Sequence, residues 1–147
     1  MSVNFNDLLS TQVDQAERPK PLPPGTYTFI IQGQPKFDRT KSDKETPFIE
    51  WQATPVQAHG DVDQTLLSQV KDWNKRGLRL TFYLTEDAKF RLREFMEKLG
   101  LSVQGRTFAE VLPEVVNQQF VAAVKHEVAQ KSGNIFAVID DNSVAAA

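Results

Sequence analysis

The sequence predicts a mainly β fold with α additions, and three observations carry that expectation. Five short runs rich in β-branched and aromatic residues are separated by glycines, prolines and polar clusters. One longer segment instead repeats its apolar residues at helical spacing. The 147 residues suit a single domain. A chain of that length buries about 68–70% of its unfolded surface and needs no disulfide or metal staple.

Residues 1–24 read as an arm. Val3-Asn4-Phe5-Asn6-Asp7-Leu8-Leu9 forms one amphipathic turn with Phe5, Leu8 and Leu9 on one side. Pro19, Pro21, Pro23 and Pro24 then impose a stiff, extended segment, so the folded domain (25–140) begins at Gly25. Thr26–Gln32 is the first strand, bounded by Gly25 and Gly33. Phe48–Thr54 is the second, with Ile49, Trp51 and Ala53 alternating onto one face. In the insertion Asp61–Arg76, Val62, Leu66, Val70 and Trp73 fall at helical spacing, and Gly77 serves as terminator. The third strand places Leu78, Leu80, Phe82 and Leu84 inward, and Arg79, Thr81 and Tyr83 outward.

Thr85 then caps a helix entered by Glu86 and Asp87, which favour its positive end. Ala88, Leu92, Phe95, Met96 and Leu99 form its core face, and Gly100 ends it. A helical turn over Phe108–Leu112 stops at Pro113. Phe120, Ala122 and Val124 alternate in the fourth strand, and Ile135–Ile139 is the fifth. Ser132-Gly133-Asn134 turns between them. Residues 141–147 remain as a short flexible tail. Three strands, a helix and two strands, with an extra helix between strands 2 and 3, is the element order of the five-stranded Greek-key barrel called the OB-fold. Its helix sits between strands 3 and 4. Other small barrels share the count.

Composition narrows the function. The absence of cysteine excludes disulfides, iron–sulfur clusters and thiolate zinc sites. The first 30 residues lack a basic segment followed by an apolar run, and no stretch approaches 18 apolar residues. The expectation is a protein kept in a reducing cytoplasm, away from membranes. Gly100–Thr107 is one residue from a phosphate-binding P-loop, with Arg106 in the lysine position, yet it follows a helix where a P-loop follows a strand. His59, Asp61 and Asp63 could suit a hard cation, but a polar loop after the second strand is much the better account of them. No Gly-x-Ser-x-Gly elbow is present and no carboxylate pair stands apart. Neither enzyme, cofactor nor metal is expected.

The basic residues are unevenly placed. The connection between strands 1 and 2 carries Lys36, Arg39, Lys41 and Lys44 against Asp38, Asp43 and Glu45, with Phe37 and Phe48 flanking it. Lys71, Lys75, Arg76 and Arg79 oppose only Asp72, while the last hairpin carries Lys125 and Lys131 against Glu127. In an OB-fold the loops joining strands 1–2 and 4–5, with the exposed face of strands 2–3, make the oligonucleotide groove. Arg79 and Tyr83 fall on the outward side of strand 3, and Phe48 lies opposite Ile49 and Trp51. Phe37 and Phe48 fit either a stacking platform or packing beneath the long loop. The formal charge of −2 is then an average over a locally basic groove and an acidic body.

Several short motifs extend this reading. Phe5-Asn6-Asp7-Leu8-Leu9 precedes a proline stretch, Gly25-Thr26-Tyr27 opens strand 1, and Lys36–Lys44 forms a basic hairpin. Leu99-Gly100-Leu101 closes the helix, and Phe120–Val128 leads to a basic turn. In these the chain resembles phage-encoded single-stranded DNA-binding proteins of the OB-fold type. The resemblance implies non-catalytic, sequence-tolerant single-strand binding in phage DNA replication and recombination, in the cytoplasm of a bacterial host cell. Lys36, Arg39, Lys41, Lys44, Lys125 and Lys131 would hold phosphates. Arg79 would charge the groove floor, Phe48 and Tyr83 would stack bases, and Phe37 is a further candidate. Phe5, Leu8 and Leu9 would dock on a neighbouring subunit, giving a homo-oligomer, and phage or host replication and recombination proteins are the implied partners. The C-terminal residues depart from the pattern, with two acids and no terminal aromatic, where many such proteins recruit partners through an acidic tail. The reading from a different class is a β-barrel protein–protein module or virion assembly component without nucleic-acid binding.

Overall fold

Alternating apolar side chains fold onto one side of a single sheet. The computed structural model describes residues 5–10, 13 and 20–147. Its strands are β1 (Gly25–Arg39), β2 (Pro47–Ala58), β3 (Leu78–Tyr83), β4 (Gln119–Val128), β5 (Ile135–Ile139) and β6 (Ala145–Ala146). Its helices are α1 (Phe5–Leu9), α2 (Gln64–Ser68), α3 (Lys89–Lys98) and α4 (Phe108–Val115). The strands form one antiparallel sheet in the order β3-β2-β1-β4-β5, with β6 beside β5 on the outer edge of β4. Cα atoms of the end strands β3 and β5 come within 8 Å, but no ladder joins them and the sheet stays open. The expected mainly β architecture is present, as is a helix between β3 and β4. Among the described residues no helix is long and apolar enough to cross a membrane.

Tyr27, Phe29 and Ile31 of β1, Ile49, Trp51 and Ala53 of β2, Leu80 and Phe82 of β3, and Phe120, Ala122 and Val124 of β4 are all buried. Leu92, Phe95 and Met96 of α3 cover them. The aromatic rings form a continuous chain. Trp51 meets Phe82 at 6.0 Å between centroids, Phe82 meets Phe95 at 5.0 Å, and Phe95 and Phe29 each meet Phe120 at 5.5 Å. Each such pair adds about 0.5–1.5 kcal/mol beyond its buried area. Among the described residues the Trp51 indole N–H finds no acceptor, a cost of about 1–3 kcal/mol that its ring contacts offset.

The structure moves several boundaries. Gly33 does not end β1. It takes φ +76° inside a bulge between Gln32 and Lys36, four steps on β1 against two on β2, and the strand resumes to Arg39. The insertion is α2 plus a 3₁₀ turn at Trp73–Lys75, not one helix, and its buried residues are Val62, Leu67 and Val70 while Leu66 is exposed. Asp63, which accepts from the Thr65 and Leu66 amides, caps α2 at a point that changes the face. Helix α3 starts at Lys89, after a turn in which the Thr85 carbonyl accepts from Ala88 and Lys89. It stops as expected, with Gly100 at φ +85° and the Leu101 amide donating back to Met96. Helix α4 runs through Pro113 to Val115, because burying Val111 and Val115 at i, i+4 offsets the amide that proline lacks.

Both ends of the expected domain extend further than the boundaries 25 and 140. Leu22 is buried, His126 Nε2 lies 2.7 Å from its carbonyl oxygen, and the Tyr27 hydroxyl donates to the Pro23 carbonyl. The end of the proline segment therefore straps the body, while Arg18 and Pro19 lie outside the described residues. Residues 141–147, expected as a free tail, fold back: Val144 is buried and β6 pairs with Phe120 and Val121. The Ser143 hydroxyl caps the free Ala123 amide. This edge would otherwise expose unpaired backbone groups.

Gly25 opens β1 at φ +141°, and a Cβ there would stand 2.7 Å from Val62 Cγ2 and 3.1 Å from Val62 Cα. Gly25→Ala is therefore expected to destabilise the fold by about 1–3 kcal/mol, read from the midpoint of urea unfolding. An unchanged midpoint would show that the strand start relaxes freely.

Candidate nucleic-acid interface

Alternation and register together define the outer face of β1–β2–β3. Asp38 pairs with Phe48, and Phe48 with Tyr83, so these three side chains stand in one cross-strand row. The next row is Lys36, Glu50 and Thr81, and beyond it Gln52 pairs with Arg79. The Phe48 and Tyr83 rings meet edge to face at 6.4 Å and 70°. Tyr83 is 48% exposed. An aromatic pair on the solvent side of a sheet is not needed for the core, which the opposite face fills.

The cations around this face are weakly held. Lys36 Nζ lies 3.6 Å from Asp38, Arg39 4.0 Å from Glu45, and Arg79 Nε 3.8 Å from Glu50. Each of these cationic side chains is about two-thirds or more exposed, and exposed pairs are worth only about 0–1 kcal/mol. A phosphate can exchange for the exposed Asp38 and Glu45 partners at little cost. Lys41 and Lys44 occupy the turn between β1 and β2 and make no ion pair among the described residues. The side chain of Glu50 is only 17% exposed and also accepts from the Thr81 hydroxyl, so with Asp38 two acids interrupt the basic path on this face.

The structure separates other expected members. Phe37 and Arg39 fall in register with Ile49 and Pro47, on the face opposite Phe48. With Asp38, Pro47, Phe48 and Leu84 they line an open cleft of about 420 Å³ at the end of the sheet, and Phe37 is 61% exposed rather than packed beneath a loop. Lys36, Phe37 and Arg39 belong to β1 itself, not to a loop, since the strand continues past its bulge. Lys125 and Lys131 lie on the β4–β5 hairpin. Val124 pairs with Gly25 at the start of β1, so this hairpin leaves the end of β1 opposite the Lys36–Lys44 turn. The two basic hairpins therefore flank β1 from opposite ends. In the arm, Phe5 and Leu9 are 71% and 79% exposed, and the side chain of Leu8 lies outside the described residues.

Lys75 and Arg76 were visible as charge but without a place. They precede Gly77, whose missing Cβ leaves room for the Gln52 side chain, at 2.9 Å from where that atom would stand. The basic segment thereby enters β3 beside Gln52 and Arg79. Its signal in the sequence was the near absence of acids between Lys71 and Arg79.

The competing sites dissolve into structural roles. The Asp61 carboxylate accepts from the Thr26 amide and hydroxyl at 2.9 and 2.8 Å, His59 bonds to the Thr28 hydroxyl, and Asp63 caps α2. Among the described residues no group of three or more metal-ligating side chains converges. In the near-P-loop, Gly100 stops α3 and Thr107 caps α4. Arg106 is spent on the Ser102 and Glu110 carbonyls and the Glu114 carboxylate. Hydrogen bonds from Arg106 hold Glu114 below the usual carboxylate range. A cleft of about 580 Å³ opens beside this segment, but its arginine is already engaged.

No protein-family model matches the chain, and no curated protein matches it.

Hydrogen bonds from Thr26 hold the Asp61 carboxyl below its ordinary value. A carboxyl whose folded pKa is depressed stabilises the fold above its unfolded value and loses that contribution as pH falls through the folded one. Stability is thus expected to drop below about pH 4, and Asp61→Asn should flatten that drop. Thermal midpoints at pH 7 and pH 3 for both proteins check this; parallel pH profiles would remove Asp61 from the account.

Proposed function

We propose that the protein binds single-stranded DNA without strong sequence preference and without catalysis, and serves phage DNA replication or recombination. The observation that carries the reading is the outer-face pair of half-buried Phe48 and exposed Tyr83, set between a basic turn at one end of β2–β3 and Lys75, Arg76 and Arg79 at the other. Aromatic faces accept any base, and each stacked base is worth about 1–3 kcal/mol. Phosphates would exchange with the exposed Asp38 partner of Lys36 and approach the exposed side of Arg79, releasing counterions. The approach of β3 to β5 supports an OB-type barrel in which this face is the groove. Lys125 and Lys131 would then meet the strand only beyond the start of β1.

A second reading, a protein–protein or virion assembly module, is favoured by exposed Val128, Ile135 and Phe136 on the β4–β5 hairpin and by Phe5 and Leu9 of the arm. Fluorescence titration with a dT 30-mer at low and high salt separates the two. Single-strand binding predicts quenching, with affinity falling steeply as salt rises. Neither quenching nor a gel shift at low salt would leave the assembly reading standing.

Within the leading reading, Phe48→Ala and Tyr83→Ala should each weaken dT binding by about 5- to 100-fold with the fold intact by circular dichroism. The triple change Lys36→Ala, Arg39→Ala, Lys41→Ala should instead lower both the affinity and the slope of its salt dependence. Unchanged affinity in all of these variants would move the binding face elsewhere on the protein.

A further inference from the structure

The platform has an unusual rim, and the following rests on the single-strand reading above. Phe48 has Asp38 beside it across the β1–β2 ladder and Glu50 two residues along its own strand, both on the outer face. Neighbours in these positions stand about 4.5–5.5 Å and 7 Å away between Cβ atoms. That is where the edge of a base stacked on Phe48 would reach. An ionised carboxylate only accepts hydrogen bonds. The Arg39 amide donates to Asp38 Oδ1 at 2.8 Å and Lys36 stands 3.6 Å from Oδ2, leaving a lone pair on each oxygen. These contacts, the Arg39 amide foremost, also hold the Asp38 carboxyl below its usual value.

Bases differ in what they offer to acceptors. Guanine presents two adjacent donors, N1–H and the N2 amino group, matched to the two oxygens of one carboxylate. Adenine and cytosine present an amino group beside a ring nitrogen acceptor, which a carboxylate repels. Thymine presents one N–H between two carbonyl oxygens. We infer that the Phe48 platform is a guanine-preferring subsite, with Asp38 as the residue that reads the base edge and Glu50 reinforcing the selection against acceptor-rich edges. The binding along the rest of the strand remains sequence-tolerant, because the other contacts are to phosphates and to the face, not the edge, of a base stacked on Tyr83.

The test uses the full chain and dye-labelled dT 15-mers that carry one central dG, dA, dC or dT at constant salt. The dG oligonucleotide is expected to bind about 5- to 10-fold tighter than the all-dT strand, with dA and dC close to dT. Asp38→Asn, at an exposed site, should abolish the dG:dT ratio while dT itself binds at least as well, since an anion near the phosphates has gone. Equal affinity for all four strands, with binding intact, overturns the guanine subsite and leaves single-strand binding untouched. A dG preference that survives Asp38→Asn overturns the role of Asp38. Failure of every oligonucleotide to bind overturns both readings together.

Discussion

Everything in the molecule depends on the run of rings from Trp51 through Phe82, Phe95 and Phe120 to Phe29. Those residues come from β2, β3, α3, β4 and β1, so a single apolar contact chain joins elements far apart in sequence. Phe95 is the keystone because α3 is the only element among them that does not hydrogen-bond into the sheet. By touching both Phe82 and Phe120 it bridges the two halves of an open sheet and holds the β3 end towards the β5 side. Burial here also settles the sign of every strand: with this face committed to the core, the other face must meet solvent.

That commitment produces the candidate interface. Phe48 and Tyr83 are large aromatics that the core does not use, and the β2–β3 register brings them into contact. The bulges do the rest. Two extra residues near Gly33 let β1 run on to Arg39, so the basic cluster becomes part of a rigid two-stranded ribbon. Such a ribbon positions Lys36 and Asp38 beside the platform far better than a loop would. The same extension turns Phe37 and Arg39 to the other side of the ribbon, where they meet Asp38 and Phe48 only at the open cleft at its end.

The electrostatics suit reversible rather than tight association. Lys36 and Arg79 on the outer face are partnered at 3.6 and 3.8 Å by Asp38 and Glu50 of the same face. A polyanion gains from the exchange only what the exposed pairs fail to provide. Under the proposed single-strand reading, Glu50 and Asp38 would oppose phosphate and Asp38 would face a base edge. The net charge of −2 therefore conceals a patterned surface.

Alternation in β2 and β3 and the i, i+4, i+7 pattern of α3 determined the buried set from local spacing alone, since periodicity reports which side of an element turns away from water. The outward placement of Phe48, Arg79 and Tyr83 was legible for the same reason. Local spacing could not decide the bulge at Gly33, the split of the 61–76 insertion, the passage of α4 through Pro113 or the docking of residues 20–24 and 141–147. Each of these is settled by contacts with residues distant in sequence: β2 opposite Gly33, the core beneath Val115, His126 on the Leu22 carbonyl, and the free edge of β4. Whether two outward residues meet depends on register, and register is a property of the assembled sheet. The sequence by itself therefore determined the faces of this protein, and only the tertiary structure decided their neighbours.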